Sequence, residues 1–234
     1  MTGCLRHAEP VSGVAVLLLD RPAVRNAIDL ALVGELRVRL AELAARNTIR
    51  AIVLASATPG MFCAGADLSV SDTERRLVSD ELYALYQQMI TLGTPVIAAV
   101  DGAAVGGGAQ LALAADIRLG SSSARFRFAG PGHGLAVGPW ALPSTVGRRA
   151  LELVLSQRFV TADEAVAIGL LDRLAADPLA EATALAGAVR SLDPAAVRRA
   201  KEHVVGGERL AERLVEERSG NAAVFTGSVG IPRT

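Results

Sequence analysis

Phe62-Cys63-Ala64-Gly65-Ala66-Asp67 and, about forty residues later, Val105-Gly106-Gly107-Gly108-Ala109-Gln110 are the stretches on which the fold turns. Each follows an apolar run of strand character, at 51–55 and 96–100, and the second opens directly into a helical pattern. A strand that ends in glycines and gives way to a helix exposes backbone N–H groups, because the first N–H groups of a helix have no partner within it. The positive end of the helix dipole lies at the same point, so such a turn suits a developing negative charge. Two of these turns facing each other would make an oxyanion hole.

Working outward, residues 14–19 read as a buried strand. Residues 29–46 read as a helix with Val33, Leu36, Leu40 and Leu43 on one face, and 49–55 as a second strand. A helix at 79–92 precedes the strand at 96–100, so strand, helix and strand recur, which predicts βα units around a parallel sheet. Two short strand-like pieces follow at 117–120 and 125–128, then a loop rich in glycine and proline. From about residue 161 the pattern is helical, with segments at 162–169, 178–190, 194–205 and 207–218. The expected organisation is an α/β core over 1–160 and a helical C-terminal region over 161–234.

These motifs occur together with Arg21-Pro22, Arg25-Asn26-Ala27, Thr94-Pro95, Asp101-Gly102, Asp116-Ile117-Arg118, Thr161-Ala162-Asp163-Glu164-Ala165 and Gly169-Leu170. In this order, over roughly residues 10 to 205, the chain resembles the enoyl-CoA hydratase/isomerase family, the crotonase superfamily. The resemblance implies a spiral of ββα units with a C-terminal helical region that builds trimers or dimers of trimers. It also implies an acyl-CoA thioester as substrate, with coenzyme A entering as part of that substrate and no separate cofactor or metal. By motif the oxyanion donors fall on Ala64 and Gly107, while Ala66, Asp67, Leu68, Gly106 and Gly108 belong to the surrounding substrate-binding turns. Arg25 matches a place where a basic residue often lies near the CoA phosphates, and Trp140 lies in the loop expected to wall the acyl group.

The chain departs from the family where acid/base chemistry is concerned. The hydratases use two glutamates, one three residues after the oxyanion glycine and one in the loop after the next strands. Here the first position is Gln110, and the loop reads Phe128-Ala129-Gly130-Pro131-Gly132-His133-Gly134, with no carboxylate between Asp116 and Glu152. An amide orients water but does not take its proton at neutral pH. His133 is the titratable group in that loop and the candidate substitute. Asp72, Glu74, Tyr83 and Tyr86 lie in a stretch that lines the acyl pocket in some family members, and each is also readable as a surface or core residue. The expectation is thioester binding with weak or altered catalysis, the alternative being a lyase or isomerase that works through other groups.

Other classes are disfavoured. The third glycine of a dinucleotide fingerprint would fall at Leu111, and no G-x-S-x-G nucleophile turn occurs. Lys and Arg total 24, as do Asp and Glu, with no basic stripe, which argues against a nucleic-acid partner. The long uncharged runs at 82–100 and 128–147 are broken by glycine and proline, which argues against a membrane span. No secretory leader pattern opens the sequence, and Cys4 and Cys63 are its only cysteines. A reducing, cytoplasmic setting is expected.

Overall fold

A computed structural model describes residues 3–225. β1 (Leu5–Val11) and β2 (Val14–Leu19) form an antiparallel hairpin, and β2 is almost wholly buried. Asp29 caps α1 (Leu30–Ala45) by accepting the Leu32 N–H at 2.9 Å. The helix buries Leu32, Val33, Leu36, Leu40 and Leu43, the face expected from its periodicity. β3 (Ala51–Ser56) runs parallel to β2, with Val14 opposite Ala51 and Leu19 opposite Ser56.

From here the chain alternates between two sheets. β3 is followed by β4 (Met61–Cys63) and, after α2 (Asp72–Thr91), β5 (Val96–Val100) is followed by β6 (Ala103–Val105). After α3 (Gly107–Leu113), β7 (Ile117–Gly120) is followed by β8 (Arg125–Arg127). The first strand of each pair joins a large sheet and the second a small one. The small sheet, β4-β6-β8, is all parallel and advances in step with the large one. This stepping is the α/β spiral that the resemblance implied.

The C-terminal part contains α4 (Leu142–Val146), α5 (Arg149–Ser156), α6 (Ala162–Ala167), β9 (Arg173–Leu174), α7 (Pro178–Val189), α8 (Pro194–Gly207) and α9 (Leu210–Phe225). β9 completes the large sheet, whose order is β1-β2-β3-β5-β7-β9. α7 lays Ala182 and Ala186 on Val14, Val16, Val53 and Ile97, small residues that let helix and sheet approach closely. The other face of that sheet supports the main core, which includes Leu17, Leu54, Ala98 and the apolar faces of α1 and α2.

The segments differ from expectation in places. α2 begins at Asp72 rather than 79, because Ser71 accepts the Glu74 N–H and caps a first turn too polar to carry an apolar period. α4 and α5 lie in a stretch not read as helical. α9 continues seven residues past 218, where the helical pattern was expected to stop, and residues 226–234 of the C-terminal tail lie outside the described residues.

Candidate active site

The two glycine turns meet. Gly65 has φ +95°, and a Cβ built there would lie 2.7 Å from the Val105 carbonyl and 3.2 Å from the Gly107 nitrogen, so only glycine allows this approach. A Cβ at Gly107 would lie 3.4 Å from the Ala66 nitrogen and 3.2 Å from the Tyr86 hydroxyl.

Beside these turns is a cavity of about 90 Å³. Its apolar wall is Leu68, Leu82, Leu135, Val137 and Phe225. The polar groups along it are Tyr83, Tyr86, Gln110, Asn221, His133, Arg75 and Ser79, together with the turns at Ala66 and Gly107. Among the described residues no aspartate or glutamate lines it.

Ala64 is a correction. Its N–H donates to the Arg25 carbonyl at 3.1 Å, and the residue does not reach the cavity. The cause is the turn at 21–27, held by the buried Asn26. Asn26 Nδ2 donates to Ser56 Oγ at 2.7 Å and to the Phe62 carbonyl at 3.0 Å, while its Oδ1 accepts the Arg21 N–H at 2.8 Å. That knot presses the Arg25 carbonyl onto Ala64. Two positions on, the Ala66 N–H has no acceptor among the described residues, and neither has the Gly107 N–H at the start of α3. Both residues line the cavity, on the two turns that meet.

The other expected residues divide cleanly. Ala66, Leu68, Gly107, Gln110 and His133 share the cavity, with His133 exposed at its edge. Arg25 is exposed and away from it, in the left-handed conformation with φ 53°. Asp67 braces its own turn: its N–H donates to the Ile28 carbonyl, and its carboxylate, accepting Ser69 N at 2.9 Å and Ser69 Oγ at 2.6 Å, is held below the usual carboxylate range. Gly106, with φ +52°, donates its N–H to the Arg127 carbonyl at 2.8 Å and ties α3 to β8. Gly108 serves packing, since a Cβ there would lie 2.4 Å from the Cys63 carbonyl oxygen. Burial pushes the Cys63 thiol up to about 12, and its Sγ donates to the Asn26 carbonyl, so it is no nucleophile.

Trp140 stands behind the cavity wall. It is 1% exposed, stacks on Tyr86 with centroids 6.2 Å apart, and donates its indole N–H to Gln110 Oε1 at 2.6 Å. Its own backbone N–H is accepted by Glu217 Oε2 at 2.8 Å. Glu217, on α9, also accepts Gly138 N–H at 3.2 Å and the Tyr83 hydroxyl at 2.8 Å, both on Oε1. Asn221, one turn further, donates to the Tyr83 oxygen at 2.6 Å and pairs with both backbone groups of Ala136. Burial raises Glu217 to about 7, opposed by these three donors, and burial with the neighbouring Glu217 raises Tyr83.

Sequence reading missed Glu217 and Asn221. A usable signal existed: Leu214, Glu217, Asn221 and Val224 recur at helical spacing and are all buried, so two polar groups sit on the inward face of α9.

Residues 9–229 match the enoyl-CoA hydratase/isomerase family. The chain belongs to this family. It is 37% identical over 177 residues to bovine mitochondrial enoyl-CoA hydratase domain-containing protein 2, a match covering 72% of this chain and 60% of that protein. It is 38% identical over 180 residues to a Penicillium crustosum enoyl-CoA isomerase/hydratase, covering 71% of this chain and 20% of that one. Thus the chain spans less than two thirds of the length of these two relatives. The crystal structure of enoyl-CoA hydratase from Bacillus anthracis superposes with a TM-score of 0.84 at 29% identity, covering 95% of this chain and 91% of that one.

As an enoyl-CoA hydratase/isomerase family member, the protein has its two open backbone donors and Gln110 on one cavity. No helix among the described residues is long and apolar enough to cross a membrane. Among those residues no cluster of three His, Cys, Asp or Glu is placed to hold a metal ion.

Proposed function

We propose that this protein binds an acyl- or enoyl-CoA thioester with its carbonyl oxygen between the N–H groups of Ala66 and Gly107, and that two-carboxylate addition of water is not its reaction. The single observation that carries this reading is the meeting, on one cavity, of Ala66 and Gly107, whose N–H groups have no acceptor among the described residues, with no carboxylate among the described residues of its wall. Preorganised donors stabilise the charge that collects on a thioester oxygen as an enolate forms, and each is worth about 10²–10³ in rate in comparable sites. Each acid or base supplies about 10²–10⁴, so their absence from direct contact removes most of the advantage for hydration while leaving binding intact. Coenzyme A enters as part of the substrate and no other cofactor is needed. Trimeric assembly and a cytoplasmic location fit the same reading.

Trp140 makes the test simple. It is the only tryptophan, and it is bonded to Gln110 and stacked on Tyr86, both on the cavity wall. Titration with short enoyl- and acyl-CoA esters is expected to change its fluorescence saturably, while the conjugated enoyl absorbance stays nearly constant. Rapid loss of that absorbance would instead establish hydration and turn attention to His133, the exposed titratable group on the cavity.

A further inference from the structure

Tyr83 joins the cavity to a buried carboxylate. Tyr83 lines the cavity, and its hydroxyl donates to Glu217 Oε1 at 2.8 Å and accepts from Asn221 Nδ2 at 2.6 Å. Its ring meets Tyr86 edge-on at 6.0 Å, and Tyr86 in turn donates to the Gly107 carbonyl at 2.7 Å, so the phenol is fixed relative to the oxyanion turn. Glu217 itself is sealed off, 8% exposed and absent from the wall. Of the groups bonded to Glu217, Tyr83 is the titratable one that also lines the cavity.

We propose that Tyr83 is a catalytic residue that carries protons between the acyl carbons of the bound thioester and Glu217, which acts through it as a positioning and proton-holding residue. The proposal rests on the thioester reading above and deepens it by supplying the acid/base pair absent from position 110 and the 129–134 loop. In the step, the Cα–H bond breaks and its proton goes to Tyr83 Oη, while the phenolic proton passes to Glu217 Oε1. The C–H electron pair becomes the Cα=C bond of the enolate, and the carbonyl π pair moves onto the oxygen between Ala66 and Gly107. Return of the proton to Cα gives exchange. Return to Cγ of a 3-enoyl ester gives the conjugated 2-enoyl isomer. No oxidant, reductant or added water is consumed.

The electrostatics agree with a carboxylate as the net base and the phenol as conduit. Burial and the adjacent carboxylate raise the Tyr83 phenol, so a free tyrosinate is disfavoured, whereas burial brings Glu217 to about 7. The groups around Glu217 are Tyr83 and Tyr86 from α2, Gln110 from α3, the Gly138 and Trp140 N–H groups, and Asn221 on its own helix. The exposed charges near by are the Asp80–Arg218 pair bridging α2 and α9, and His133 at the cavity edge. Exchange therefore rises with pH through about 7 as Glu217 ionises.

The experiment is hydrogen–deuterium exchange at Cα of butyryl-CoA in D₂O, followed by mass spectrometry, alongside binding of the same ester by Trp140 fluorescence. The expected result is exchange by the unaltered protein that increases through pH 7. Tyr83→Phe is expected to bind within about threefold and lose about 10²-fold or more of the exchange. Glu217→Gln is expected to lose exchange and its pH dependence together, with folding checked by near-ultraviolet circular dichroism. If Glu217→Gln does not fold, Tyr83→Phe, which removes one oxygen, decides the matter alone. Binding with no exchange, or equal exchange by Tyr83→Phe, overturns the relay and leaves thioester binding standing. No binding overturns both.

Discussion

The Trp140 indole N–H donates to Gln110 Oε1 at 2.6 Å, which fixes the amide with its oxygen turned into the protein. Gln110 also pulls the Tyr83 phenol down, a small effect against the burial that raises it. Gln110 thus stands between a buried indole and the cavity that it lines.

Gln110→Glu is expected to keep the indole bond. It brings a second buried carboxylate near Glu217 without supplying a partner acid on the other side of the substrate. Enoyl-CoA hydration should rise by less than about tenfold, against the 10²–10⁴ that a well-placed acid or base gives. A steady-state assay of absorbance loss checks this, and a gain of 10³ would show that one carboxylate suffices.

Gly107→Ala and Gly108→Ala should fail in different ways. At 107 the added methyl meets the Tyr86 hydroxyl at 3.2 Å and Leu82 at 3.3 Å beside the cavity, so the protein folds but binds CoA esters about tenfold or more weakly. At 108 it meets the Cys63 carbonyl oxygen at 2.4 Å in the core, and overpacking of this kind costs about 1–3 kcal/mol or more. Thermal melting and ligand titration of the two variants separate the effects.

The fold should be more stable in mild acid than Glu217→Gln allows. Burial raises Glu217 from its ordinary 4.5 to about 7, so the folded state holds the proton more tightly than the unfolded chain. The resulting stabilisation is complete below about pH 4.5 and is lost as pH rises through 7. It amounts to on the order of 3 kcal/mol. Urea midpoints across this range should fall with pH for the unaltered protein, and less steeply for Glu217→Gln.

Lys201, the sole lysine, donates to Asp116 Oδ2 at 2.8 Å and to the Met89 carbonyl at 2.9 Å, locking α8 to the start of β5. Asp116 also accepts the Val96 N–H at 2.8 Å, and burial raises its carboxyl against the pull of Lys201. Lys201→Met leaves that partly buried carboxylate without its ammonium partner, which costs about 1–3 kcal/mol at neutral pH. The deficit should shrink in acid, where Asp116 binds a proton, and denaturant unfolding at two pH values checks it.

The sequence alone determined most of the elements and the places of the two glycine turns, because these depend on local rules. The apolar period of α1, its Asp29 cap and the all-apolar β5 are legible without a partner, and the glycines mark where side chains would block the approach. Only the tertiary structure decided which N–H groups remain open. Ala64 and Ala66 differ by two positions in one turn, and it is Asn26, thirty-odd residues earlier, that turns the Arg25 carbonyl onto the first and leaves the second unpaired. The carboxylate at the site was likewise invisible locally. Glu217 stands 134 residues from Tyr83, and a buried acid becomes recognisable only when folding brings α9 against α2 and removes the water that would otherwise hold its pKa near 4.5.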